Sequence, residues 1–321
     1  MRDRRAAVSP PQAALAGAMS GGLTRMIVAP LDLVKIRFQV QQAPIGGANG
    51  KYAGLLHAVS SIRGEEGLRG FWRGNLAATG LWVSYSALQF GSFRVLASLW
   101  PRDVADALGS ATVSTVDGAL AGMAATALTY PLDLFRTILA SQGVPRRFPT
   151  MRSLATHVWA SRGVRGLYSG LPSTLFQIAP YAGLSFGIYT ALNDIVAEHR
   201  AASNGDNEVS QAKWALSFVG TGGVAGFVSK LAVYPLDTVK KRMQMRQVPR
   251  HDSYGVIPRY ASSWACGADV LRREGLAGLY KGMTPSLLKS VVGHSAMFVS
   301  YEIALLALQR AQSEWERLPI E

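Results

Sequence analysis

Apolar residues in this 321-residue chain gather into six long stretches separated by polar segments, at approximately 12–41, 75–99, 112–141, 172–198, 211–245 and 284–311. Each exceeds the roughly 20 residues a helix needs to cross a bilayer core. The pattern therefore predicts six membrane-spanning helices. Arg25, Lys230 and Lys289 interrupt these stretches, and the mean hydropathy is only +0.14. A charge at membrane depth is costly unless it faces a partner or a wet cavity, so the spans are expected to surround a polar interior. Glycines at helical spacing, Gly17/Gly21, Gly118/Gly122 and Gly222/Gly226, are expected to let neighbouring backbones approach closely.

The stretches are not independent. The box Pro30-Leu31-Asp32-Leu33-Val34-Lys35-Ile36-Arg37 returns at Pro131 to Ile138 and at Pro235 to Arg242. A second marker follows each box: Glu66-Gly67 to Trp72-Arg73-Gly74, Arg162-Gly163 to Tyr168-Ser169-Gly170, and Glu274-Gly275 to Tyr280-Lys281-Gly282. Two markers in the same order three times define a tandem triplication with a period of about 100 residues. The reading is an all-α membrane protein, one body over 1–321, with six transmembrane helices in three pseudo-symmetric repeats at approximately 12–100, 112–200 and 211–311. Short amphipathic helices are expected in the loops near 53–64, 150–160 and 262–273. Segments 43–50 and 246–260 read as loop.

Charge fixes the orientation. Lys and Arg number 33 against 20 Asp and Glu, a net charge of +13, and the excess sits in the loops inside each repeat. Residues 136–170 hold Arg136, Arg146, Arg147, Arg152, Arg162 and Arg165 with no acid, whereas the links between repeats are short and near neutral. The positive-inside rule places the basic loops on the inward face, opposite the termini. The single cysteine, Cys266, excludes a disulfide framework and a thiolate metal cluster.

Proline within a helix removes a hydrogen bond and bends the axis, so Pro30, Pro131 and Pro235 are expected to kink the odd-numbered spans at their inner ends. In a ring of three, the acid of one helix meets the base of the next: Asp32 with Arg136, Asp133 with Lys240, Asp237 with Lys35. Isolated surface pairs contribute about 0–1 kcal/mol. Three pairs at the feet of three helices instead suggest a seal that opens when something offsets its loss. Gln39 and Gln244, seven residues beyond Asp32 and Asp237, are placed to brace it; the second box has Ala140 there and Ile138 for its second base.

Seven residues the other way, about 10 Å above the seal at 1.5 Å per residue, lie Arg25, Thr126 and Lys230. With Lys289 they supply three cations for which the neighbouring spans offer no obvious acid, so they are expected to be unpaired and to attract an anion such as phosphate or pyrophosphate. Trp82, Tyr85 and Gln89 share one face of the second span, and Gln177 and Tyr181 one face of the fourth. Such a wall would stack a flat heterocycle and favour a cationic ring.

The triplicated Pro-x-Asp-x-x-base box with its Glu-Gly to aromatic-basic-Gly marker resembles the mitochondrial carrier family over essentially the whole chain. The resemblance implies a multi-pass inner-membrane transporter working by alternating access, both termini in the intermembrane space and one central site. By the family's contact scheme that site includes Leu81, Gln177, Ile178 and Lys289. It also implies an outer gate, of which this chain keeps one acid in Phe93-Arg94, Tyr189-Thr190 and Tyr301-Glu302, leaving Arg94 to meet Glu302. Thr24-Arg25, Ala87-Leu88-Gln89-Phe90 and Pro285-Ser286-Leu287-Leu288-Lys289 are most like a carrier of a diphosphate-bearing cofactor exchanged for nucleotides. Carriers of coenzyme A, deoxynucleotides or adenine nucleotides share parts of this pattern. Membrane lipid, cardiolipin included, is the further partner, and the expected state is a monomer without bound metal or cofactor.

A membrane-tethered scaffold or a nucleic-acid-binding helical array is the rival class. Five scattered histidines offer no metal spacing, and Gly220 to Gly226 lacks the dinucleotide and P-loop patterns, so no enzyme is indicated. Met1-Arg2-Asp3-Arg4-Arg5 is too short and acid-containing for a presequence.

Overall fold

The computed structural model describes residues 10–43, 45–46, 50–101, 109–202, 208–246, 248 and 257–315. Residues 44 and 47–49 of the predicted loop 43–50, 247 and 249–256 of 246–260, 102–108 and 203–207 in the links between repeats, and 1–9 and 316–321 lie outside these. Among the described residues the fold is all helical. Six long helices, α1 (Pro10–Val40), α3 (Asn75–Leu99), α4 (Ser110–Ser141), α6 (Leu171–Ala202), α7 (Glu208–Met245) and α9 (Met283–Trp315), alternate with three shorter ones. The short helices α2 (Leu55–Glu66), α5 (Met151–Leu167) and α8 (Ser263–Leu279) occupy the predicted loop positions. By composition only Met283–Arg310 is apolar enough to pass alone as a membrane span among the described residues. The others dilute their apolar faces with interior polar groups.

α1 packs most extensively on α9, α3 on α4 and α6 on α7, so each strong seam joins one repeat to the next. The odd helices α1, α4 and α7 also touch one another. Pro30, Pro131 and Pro235 each lie within a continuous helix, as does Pro180 in α6.

Buried apolar side chains concentrate at the end where the short helices lie. Leu33, Ile36, Phe38, Ile62 and Phe71 form one cluster; Leu134, Ile138, Leu154, Met243 and Val270 belong to another. Further along, large apolar residues such as Val83, Val291 and Phe298 are exposed, as on the outward surface of a bundle. Cys266 is packed at 0% exposure on α8, and burial pushes its thiol up to about 12, so it is a neutral filler.

Each short helix begins with sequence-legible chemistry where a capping residue exists. Thr150 and Ser153 form a capping box on α5, and Ser262 accepts from the Ala265 amide on α8. The marker glycines then place each repeat against the next. Gly74, Gly170 and Gly282 all have φ between 76° and 90°. A Cβ at Gly74 would lie 2.9 Å from the Arg136 carbonyl, and one at Gly282 2.9 Å from the Lys35 carbonyl. Only glycine allows both the backbone turn and this approach.

The other glycines correct the sequence expectation. Space beside Gly17, Gly21, Gly118 and Gly226 is open, while a Cβ at Gly122 would meet Tyr85 Oη at 3.4 Å and one at Gly222 would meet Tyr189 at 3.8 Å. These pairs continue, at i−4 and i−8, the faces of Arg25, Thr126 and Lys230. They leave room along that face and do not draw backbones together.

Candidate functional site

The three boxes converge. Arg136 Nη2 lies 2.7 Å from Asp32, Lys240 Nζ 3.0 Å from Asp133, and Lys35 Nζ 2.6 Å from Asp237, so each acid meets the base of the next repeat. All three pairs are largely buried. Gln39 donates to Asp237 at 3.0 Å and Gln244 to Asp133 at 2.8 Å, bracing two of them. Lys241 adds a second cation to Asp133 at 3.2 Å and donates to Thr137. Lys35 also sits over the Tyr234 ring, 5.5 Å from its centroid. The ring therefore ties α1, α4 and α7 together at the short-helix end.

Arg25 and Lys289 are paired with an acid, contrary to the sequence expectation, whereas Lys230 is in no ion pair among the described residues. Arg25 Nη1 reaches Asp32 at 2.8 Å, and Lys289 Nζ reaches its other oxygen at 2.5 Å. The missing partner was the box acid itself, two turns along α1 for Arg25 and across the α1–α9 seam for Lys289. Lys230 donates to the Ser286 carbonyl at 3.1 Å and to Ser290 Oγ at 2.5 Å, linking α7 to α9. Asp32 thus serves three cations, and this node takes the place of the amide brace its pair lacks.

Above the Asp133 pair lies a cavity of about 560 Å³ between α3, α4 and α6. Leu81, Trp82, Tyr85 and Gln89 line one side, Gln177 and Ile178 another, with Asp133, Arg136 and Lys240 as its charged lining. Thr126, Thr129 and Thr174 add hydroxyls. Tyr181 does not line this cavity and is 43% exposed. Neither do Arg25, Lys230 and Lys289, so the cationic lining comes from box residues. Arg136 bridges the two regions, since it also lines a small gap with Arg25 and Asp32. Gln177 reaches down to Asp237 at 3.5 Å.

At the opposite end Arg94 and Glu302 are both exposed and do not pair with each other.

A second set of ions was not anticipated from sequence. Glu66 is gripped by Arg37 and Arg73, and Glu274 by Arg242 and Lys281, with almost no solvent access. The same bases hold main-chain oxygens at the C-terminal end of the neighbouring repeat's odd helix. Arg37 donates to the Ala140 carbonyl at 3.0 Å and to that of Gln142 at 2.5 Å; Lys281 donates to the carbonyls of Gln41, Gln42 and Ala43. These contacts cap the end where four carbonyls lack helical partners and the dipole favours cations. The signal was present: the second base of the box and the acid and base of the marker occur together in repeats one and three. Repeat two lacks all three, with Ile138, Arg162 and Ser169, and Ser169 Oγ is buried without a partner.

The arrangement has no cluster of three or more metal-ligating side chains among the described residues. What it offers is a cavity with aromatic and amide walls, two basic side chains against one acid in its lining, and a seal of ion pairs.

Comparison with known proteins gives the same triplication. The family model described as "Mitochondrial carrier protein" matches residues 6–104, 109–200 and 211–312. A protein named mitochondrial thiamine diphosphate carrier 2 from Zea mays is 43% identical over 311 residues, covering 90% of this chain and 91% of that protein. The Arabidopsis thaliana mitochondrial thiamine diphosphate carrier 1 is 40% identical, covering 91% and 92%. The Homo sapiens mitochondrial thiamine pyrophosphate carrier is 38% identical, covering 91% and 90%.

Proposed function

Because this chain belongs to the mitochondrial carrier family, a multi-pass transporter of the mitochondrial inner membrane and not an enzyme, we propose that it brings thiamine pyrophosphate into the matrix by alternating access, in exchange for a nucleotide. The observation that carries this reading is the adjacency of the 560 Å³ cavity to the Asp32 node through Arg136. Ligand cavities commonly measure about 300–1,000 Å³. Trp82 and Tyr85 offer aromatic faces to the thiazolium, where a cation is attracted to the ring quadrupole. Gln89 and Gln177 offer amides to the aminopyrimidine edge. Arg136, Lys240, Lys289 and Arg25 lie where the diphosphate would reach, with Lys230 behind them. The basic short-helix end is the matrix end, and Asp32, Asp133, Asp237 and their partners form the matrix gate. Arg94 and Glu302 form the contact that closes the cytoplasmic side once that gate opens.

Substrate must bind the open-gate state more tightly than the closed one for binding to drive the change. The excess cations would also suit other polyphosphates, which is the ground for a second reading as a carrier of coenzyme A, a deoxynucleotide or an adenine nucleotide. Against simple ADP/ATP exchange stands the Gln177-Ile178 pair. The test is uptake of labelled thiamine pyrophosphate into reconstituted liposomes with each candidate as competitor. Thiamine pyrophosphate is expected to be taken up and to compete best. Robust uptake of another phosphorylated solute with none of thiamine pyrophosphate overturns the substrate.

Membrane lipid is the second proposed partner. A groove of about 810 Å³ between α6, α7 and α8 combines Phe176, Leu236, Val239 and Trp264 with Arg246, Ser262 and Ser263. This mixture suits acyl chains below a phosphate, and cardiolipin would supply both. The carrier works in this reading as a monomer, since all three gate pairs lie within one chain.

A further inference from the structure

We infer that the Asp32 carboxylate is a resident anion standing in for the substrate's diphosphate, and that the diphosphate opens the gate by taking Lys289 and Arg25 from it. This rests on the reading of the interior as a diphosphate-binding site. The three gate acids differ in what the cavity side presents to them. Asp133 meets only box cations, Lys240 and Lys241, and an amide. Asp237 meets Lys35 and the amides of Gln39 and Gln177. Asp32 alone among them is bound by two cations from above the seal, Arg25 and Lys289, in addition to Arg136.

One carboxylate against three cations leaves two positive charges uncompensated at the node, the charge a diphosphate would supply. Lys289 is the accessible member, with 30% of its side chain exposed against 9% for Arg25 and 7% for Asp32. Arg25 retains a buried Nε with no partner, a donor available to an incoming oxygen. A diphosphate arriving over Lys289 gains charge-assisted bonds that a single carboxylate cannot match in number. The diphosphate then repels Asp32 and competes with it for Arg136, which lines the cavity, so the link between α1 and α4 weakens. The cations change partners and never stand bare, which avoids the penalty of an unpaired buried charge.

The position above each acid follows one pattern. The residue on the even helix of the preceding repeat is Lys289 for Asp32, Gln177 for Asp237 and Leu81 for Asp133. A lysine is a strong coupling, an amide a weak one, and leucine none. The diphosphate therefore acts first on the α1–α4 link.

The experiment measures binding of inorganic pyrophosphate and of thiamine pyrophosphate to purified, detergent-solubilised full-length protein by calorimetry. Asp32→Asn removes the internal competitor and is expected to bind pyrophosphate about tenfold more tightly, because the fraction of sites free of competition rises. Asp133→Asn is expected to stay within about twofold of wild type, and Asp237→Asn to fall between. Unchanged or weaker binding by Asp32→Asn overturns the inference. So does equal tightening in all three variants, since gate loosening alone would then explain it. Asp32→Ser is read in the same way if the asparagine variant does not yield folded protein. Wild type that binds inorganic pyrophosphate but not thiamine pyrophosphate refutes the substrate and leaves this inference standing. Wild type that binds both without tightening in Asp32→Asn refutes this inference and leaves the substrate.

Discussion

Glu274→Ala is expected to destabilise the folded protein by about 3–5 kcal/mol, because it strands two buried cations. Arg242 points both terminal nitrogens at this carboxylate and Lys281 its ammonium. Their side chains are 1% and 5% exposed, so water cannot replace the lost charge. Both also hold the end of α1, through Arg242 to the Gln39 and Gln41 carbonyls and Lys281 to those of Gln41, Gln42 and Ala43. The damage should therefore spread from repeat three to repeat one. Thermal unfolding in detergent reads the effect, and Arg273→Ala on the same helix is the control. Arg273 is 68% exposed and pairs with Asp269 at i,i+4, an arrangement that contributes about 0.3–0.5 kcal/mol. Equal shifts for the two variants would mean that the grip on Glu274 carries no special weight.

Arg136→Ala should lower uptake of thiamine pyrophosphate in reconstituted liposomes by about 100-fold or more, the consequence of removing roughly 3 kcal/mol of interaction from a charged, hydrogen-bonded site. This guanidinium closes the α1–α4 link at 2.7 Å and lines both the main cavity and the small gap beside Arg25. Arg136→Lys keeps the charge but loses the planar fork, so it should recover only part of the rate. Full activity in the alanine variant would remove Arg136 from both gate and site.

The repeats, the six long helices and the three acid–base partners were legible in the sequence because each depends on a pattern repeated three times. Apolar length gave the helices, and the placement of Asp and Lys or Arg at the same offset gave the ring. The fates of Arg25 and Lys289 were not legible. One acid, Asp32, serves three bases, and sharing of this kind appears only when α9 is laid on α1. The acid and bases of the latches on Glu66 and Glu274 occur together in repeats one and three, but their members lie in different elements, and the main-chain oxygens that the bases also hold have no sequence signature. The glycine stripes misled for a related reason. Helical spacing tells which side a glycine faces, not whether another backbone is there.

The most direct test of a seal that opens and closes by exchange of ion pairs is a charge swap at Lys35 and Asp237. These two are joined at 2.6 Å, and Lys35 is the one cation in an ion pair with Asp237 among the described residues. Uptake of labelled thiamine pyrophosphate is measured for Lys35→Asp, Asp237→Lys and the double variant. The predicted result is near-complete loss in each single variant and substantial recovery in the double. Single variants that transport like wild type, or a double variant that folds yet recovers nothing, would contradict a gate built on this pair.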